Sequence, residues 1–333
     1  MIFNLPSFFS AKPVLWTAVD AGLAGELLAV SVEAKAGQRP RVLHAQRAPC
    51  TGWEPTALAA LLEGAASRPG RTVAVLARGD YQIMLMQRPP VPAADLERSV
   101  RWQVASQVDF AVDDAVIAHL QVPVPPGAER EVAGSGPAAP EAQGLYVVAA
   151  QAALVETVSQ AFKAARHRVD AVDVRETAQR NLAALAEQAD ECLCLLRVTQ
   201  QGVQLTFTHL GELYLDRFIA QPLAAWQAAE PFEKARTVER VAQQALRSVA
   251  HVKEHHPHLA VRRVLLCPLP PGLELEAPLR EQMGLPLETL DLADVLDLSA
   301  VPQLVPAEAQ SAFFTALGAA LRAPTQSTFP RLR

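Results

Sequence analysis

The pattern that most constrains this chain occurs twice. Two short, mostly apolar runs, Val14–Val19 and Leu27–Val32, and an alternating one, Arg41–Gln46, open the first half, and Asp20-Ala21-Gly22 closes the first of them. In the second half Cys192–Val198, Val203–Thr208 and Glu212–Ile219 repeat the arrangement, joined by tight turns at Gly202 and Gly211. Runs this short and this close together predict antiparallel meanders. Alternating helices and strands follow each one. After the first come a helix over Glu54–Ala66 with Leu58, Leu61 and Leu62 on one face, strands Thr72–Leu76 and Tyr81–Met86, and a helix over Ala93–Val108. Strands Ala115–Val122 and Leu145–Ala150 and helices Ala153–Ala165 and Arg175–Glu187 complete that half. After the second meander come a long helix over Phe232–His255, strand Val264–Cys267, a short helix at Leu279–Met283 and a last helix over Ala307–Arg322. The repetition is one of pattern, without a matching sequence repeat.

With 333 residues the chain exceeds what one hydrophobic core usually organises, so two α/β lobes are expected, 1–185 and 186–325, before a polar tail at 326–333. The net charge of −5 argues against nucleic-acid binding, which needs a basic surface to displace counterions. No run approaches ~18 consecutive apolar residues, so no transmembrane helix is expected. The apolar N-terminus, Met1 to Phe9, lacks a basic region and is broken by Asn4, Pro6 and Ser7, a poor signal peptide. Pro123 to Gly144, rich in Pro, Gly, Ala and Glu, reads as a mobile loop. Cys50, Cys192, Cys194 and Cys267 lack metal-ligand spacing and read as reduced, apolar side chains, which suits a cytoplasmic protein.

The segment from Gly79 to Ile117 adds a specific resemblance. It reads Gly79-Asp80-Tyr81-Gln82, Pro92 to Leu96, Val100-Arg101-Trp102-Gln103, and then Val108-Asp109-Phe110-Ala111-Val112-Asp113-Asp114 into Ala115-Val116-Ile117. This resembles the MshI family of mannose-sensitive haemagglutinin (MSHA) pilus biogenesis, related to PilM of type IV pili. Leu145–Ala150, Asn181–Leu185, Gly211–Leu215 and the ending Ala316-Leu317-Gly318-Ala319-Ala320-Leu321-Arg322 extend the similarity over nearly the whole chain. The resemblance implies the actin/Hsp70-like ATPase fold, two RNase H-like lobes with a cleft between them. A small subdomain would be inserted in the first lobe, at about 90–166. It further implies a cytoplasmic scaffold, peripheral to the inner membrane, that binds the cytoplasmic peptide of a PilN-like bitopic protein beside that subdomain and meets other pilus platform proteins. Membrane contact would come only through the partner. GspL of type II secretion fuses a similar region to a transmembrane helix; with none expected here, the PilM-like arrangement is favoured, and a secretion platform is an alternative.

In PilM the first phosphate loop is Asp-x-Gly followed by hydroxyl residues and Lys. Here it is Asp20-Ala21-Gly22-Leu23-Ala24-Gly25-Glu26, keeping Asp20 and Gly22 without the hydroxyls or the Lys. Counting back from Gly211 puts Arg197 where the second loop has its Asp, followed by Val198-Thr199-Gln200-Gln201. The adenosine-side glycine turn reads Cys267-Pro268-Leu269-Pro270-Pro271-Gly272, and proline removes backbone donors. These losses argue against Mg-ATP binding and against catalysis. Arg197 could still pair with a phosphate, which keeps ATP, and an ATPase anchored on Asp20, as the alternative.

Arg101, Trp102 and Phe110 are the candidate peptide-binding residues. Trp102 lies about 200° around its helix from Val100 and from Val104. It either packs on another part of the subdomain, the favoured reading, or forms a binding face. His251 and His255, spaced i and i+4, have no third ligand, so His251, His255, His256 and His258 read as structural. Asp109, Asp113 and Asp114 fit no calcium loop. No G-x-S-x-G, Walker A motif or nucleophile–base pairing is present.

Overall fold

The computed structural model describes residues 12–23, 25–65, 70–123 and 144–322. The segments read above as N-terminus and tail, and nearly all of the Pro-rich loop, lie outside the described residues. Both meanders form. In the first half β1 (Val14–Leu23), β2 (Glu26–Ala34) and β3 (Arg41–Pro49) are antiparallel, and β4 (Arg71–Val75) and β8 (Ala171–Asp173) extend the sheet in parallel, in the order β3-β2-β1-β4-β8. In the second half β9 (Leu193–Val198), β10 (Val203–His209), β11 (Glu212–Ile219), β12 (Val264–Leu266) and β13 (Leu287–Thr289) give β11-β10-β9-β12-β13, the same order and the same directions. The expected duplication is therefore real at the level of topology. The three-residue strands β8 and β13 carry too little periodicity to be read from sequence.

Between β4 and β8 the chain builds a third sheet from β5 (Tyr81–Gln87), β6 (Ala115–Gln121) and β7 (Gly144–Gln151), ordered β5-β7-β6. Helix α2 (Ala93–Val104) covers one face of it with Leu96, Val100 and Val104. The helix stops four residues short of the expected Val108. Val108 and Phe110 instead fold back, half-buried, onto the cluster that α2 makes with the sheet.

Alternation along the strands sends residues to two faces, and each five-stranded sheet has both faces covered. Helices α1 (Pro55–Glu63) and α3 (Ala152–Ala164) lie on the outer face of the first sheet, against Val19, Leu27, Ala29 and Ala74. Helices α6 (Pro231–His255) and α7 (Glu276–Gln282) cover the outer face of the second, against Cys194, Leu196, Val198 and Leu205. A short α5 (Leu223–Ala228), unforeseen in the sequence, precedes α6. The two inner faces share one core built around α4 (Arg175–Ala186) and α9 (Ala307–Ala320), with a short α8 (Leu292–Val295) at its edge. Trp16, Val30 and Val73 of the first sheet join Leu193, Leu195 and Leu265 of the second in it. Helix α4 meets α9 closely: a Cβ on Gly318 would lie 2.1 Å from the Ala178 carbonyl oxygen, so only glycine fits, and Asn181 donates to the Gly318 carbonyl at 2.9 Å. No helix among the described residues is long and apolar enough to cross a membrane.

Candidate functional site

The C-terminal ends of β1 and β9 meet at the inner core, where α4 and α9 also converge. Asp20, on β1, is fully buried. Its Oδ1 accepts the Gly22 N–H at 2.8 Å and the Arg175 Nη1 at 3.3 Å. Arg175 is the first residue of α4, at the positive end of the helix dipole. Its guanidinium lies directly over Gly22, so close that a Cβ there would fall 1.5 Å from Nη1. Arg175 Nη2 donates to the Thr315 hydroxyl on α9 at 3.1 Å, and Arg197 Nη1 donates to the same oxygen at 2.7 Å. Arg197 also stacks on the Phe314 ring, 4.5 Å from its centroid. The structure thus brings Asp20, Gly22 and Arg197 together, as their places in the two meanders imply, and adds Arg175 and Thr315 between them.

Beside these groups opens a cavity of about 540 Å³. Its walls include Gly22, Arg47, Arg175, Arg197, the turn Thr199-Gln200-Gln201, and Pro270-Pro271, which places all three loops of the expected cleft around one space. As a cradle for a magnesium nucleotide the donor set is a poor fit. One oxygen of Asp20 is committed to Arg175 and the loop amide, and the other is enclosed without a hydrogen-bond partner. Two guanidiniums occupy the neighbourhood where a divalent cation would need carboxylate and water oxygens. The Thr199 N–H is consumed by the Gly202 carbonyl at 2.7 Å. Burial, reinforced by the adjacent Arg175, lowers the Arg197 pKa to about 10. Among the described residues its hydrogen bond goes to a neutral hydroxyl, with no carboxylate partner.

A second polar cluster ties the small subdomain to both lobes. Arg78 bonds Glu176 at 2.8 Å and lies 3.6 Å from the Phe218 ring centroid. Tyr81 donates to Glu176 at 2.6 Å, and burial followed by that carboxylate raises its pKa. On β11 the Asp216 N–H reaches the Tyr146 hydroxyl at 2.7 Å, and its carboxylate accepts from Gln204. Burial, then Glu176, pushes the Asp216 carboxyl well above its usual range.

In the small subdomain the three peptide-binding candidates part company. Arg101 is half-buried and donates to the carbonyls of Val112 (2.6 Å) and Ala115 (3.3 Å), fastening α2 to the start of β6. Phe110 belongs to the subdomain's own core. Trp102 does not, against the favoured reading: it is 81% exposed, while α2 packs on the sheet through Leu96, Val100 and Val104. Elsewhere in the subdomain the sheet has an open edge: among the described residues β5 pairs only with β7, and Leu85 on it is 49% exposed.

The histidines at the end of α6 pack on one another and on Tyr214. His251 and His255 are stacked at 4.0 Å, and His256 meets Tyr214 edge-on at 5.1 Å. Among the described residues no three His, Cys, Asp or Glu side chains converge as a metal site. The four cysteines are buried free thiols.

No protein-family model matches the chain, and no curated protein does. Solved structures do match. A chain of a PilM–PilN type IV pilus biogenesis complex aligns with a TM-score of 0.64 at 18% identity, over 94% of this chain and 99% of that one. The cytoplasmic domain of EpsL, an inner membrane component of the type II secretion system of Vibrio cholerae, aligns at 0.48 and 14% identity, over 91% and 95%. A Bacteroides thetaiotaomicron protein with an actin-like ATPase fold aligns at 0.46 and 6% identity, over 87% and 94%. At such identities the likeness is one of fold. The first of these matches, joined to the duplicated strand order and the third sheet between β4 and β8, makes this chain an actin-like α/β protein of two RNase H-like lobes, with a small subdomain inserted in the first.

Proposed function

We propose that this protein is a scaffold of a type IV pilus assembly platform, of the MSHA kind that its sequence resembles. In this reading it sits on the cytoplasmic side of the inner membrane, among other platform proteins, and holds the cytoplasmic N-terminal peptide of a PilN-like bitopic partner. The observation that carries the reading is the inserted subdomain, which has an unpaired β5 edge among the described residues and, on α2, an exposed Trp102. An extended peptide adds to such an edge through backbone hydrogen bonds, and a tryptophan supplies the anchor. The reading assigns no catalysis, because Arg175 stands against the one surviving acid of the phosphate loops.

The test is anisotropy binding of a labelled cytoplasmic N-terminal peptide of a PilN-like bitopic protein to the full chain. Saturable binding is expected, and Trp102→Ala should cost about 2 kcal/mol, roughly thirtyfold in affinity. The same change should leave the thermal transition within about 1 °C, since the side chain contributes little to the core. A peptide that fails to bind the wild type removes the scaffold reading. Unchanged affinity in the variant removes Trp102 from it.

A further inference from the structure

The cleft that the fold inherits is built here with the opposite electrostatic sign. A magnesium-nucleotide site presents carboxylates to a cation, whereas this cavity presents three guanidiniums, Arg47, Arg175 and Arg197, with Glu308 at the rim. Asp20 balances Arg175. Arg197, also buried, bonds a hydroxyl and stacks on an aromatic ring, and the carboxylate near it is the same Asp20 that Arg175 already holds. Two buried guanidiniums sharing one carboxylate leave an excess positive charge, which is costly, and an anion entering the cavity would relieve that cost. Arg175 sharpens the same demand, as a cation at a helix N-terminus beside a second guanidinium. Guanidiniums bind tetrahedral oxyanions through charge-assisted N–H···O bonds, and here two of them converge on one hydroxyl. At about 540 Å³ the space falls within the range of small-molecule sites.

We propose that the interlobe cavity binds a phosphate-bearing small molecule without a metal ion, the phosphoryl group lying between Arg175 and Arg197. The site is independent of the peptide-binding reading, since it shares no residue with the small subdomain. Its geometry also gives the sign of a magnesium effect. The ion would bring positive charge towards two guanidiniums and would compete for the same phosphate oxygens, so it should weaken binding.

The experiment is thermal-shift and calorimetric titration of the full chain with inorganic phosphate, pyrophosphate and ATP, each in EDTA and in excess magnesium, against chloride at matched ionic strength. Stabilisation in EDTA by pyrophosphate or ATP, equal to or larger than with magnesium, is the expected result. Tighter binding of ATP than of pyrophosphate would identify the phosphate's carrier as a nucleotide, and equal binding would mean that the carrier is not read; either supports the site. Arg197→Gln should weaken binding at least about tenfold, through loss of the charge-assisted bonds. Should that variant fail to fold, Glu308→Lys on the exposed rim should tighten binding several-fold. Three outcomes would overturn the proposal: no response to any of the three anions in EDTA, a response that requires magnesium, or affinities that neither variant moves.

Discussion

Arg175 changes the meaning of Asp20. In a metal-anchoring role Asp20 would be spare in the ligand-free protein, and its removal would scarcely affect folding. As the partner of Arg175 it stabilises a buried cation, and Asp20→Asn leaves two adjacent guanidiniums with no carboxylate between them. A loss of about 3 kcal/mol is expected, read as a fall in the urea midpoint at constant slope. Asp216 gives a prediction in pH. Its carboxyl is raised in the folded state, so the folded protein binds more protons than the unfolded chain once pH exceeds the ordinary carboxylate range, and the contribution of this group to stability falls as pH rises through that window. Asp216→Asn keeps an acceptor for Gln204 and should flatten that slope, with the largest relative gain at the alkaline end of a pH series of denaturation curves. Asp20, Gly22 and Arg197 were legible because each holds a fixed place in a meander. Arg175 was not. It sits 155 positions from its partner, and with Glu176, Thr177, Gln179, Arg180 and Asn181 it gives α4 the look of a solvated face, although that helix is buried from Arg175 to Leu185. An unusually polar helix following a short apolar segment was the available signal.

At the scale of elements, long periodic helices and meander strands were readable because burial on one side leaves a period. Helix α6 keeps Val238, Val241, Ala245 and Val252 inward over 25 residues, close to the expected span. Strands β8 and β13 owe their existence to a neighbouring parallel strand, which no local pattern records. The β10–β11 hairpin carries a local conflict. Its turn places Leu210 at φ 52° and Gly211 at φ 74°, a pairing that suits Asn-Gly, and Leu210 is 70% exposed. A leucine in the left-handed region is strained and here buries nothing in return. Leu210→Asn should therefore stabilise by about 1 kcal/mol, seen as a higher melting temperature with an unchanged far-ultraviolet spectrum.

The whole molecule has two five-stranded sheets but one central core between them. Because α4 and α9 are shared by both inner faces, neither lobe can open without baring the other. Calorimetry should show a single transition with equal van't Hoff and calorimetric enthalpies, where two independent domains would give two. The placement of α9 has a further consequence for how the protein is made. Its partners include β1, β2 and β4, all of which leave the ribosome well before α9 does. Part of the first sheet's inner face therefore stays uncovered until α9 is made, an interval in which exposed apolar surface favours misassembly.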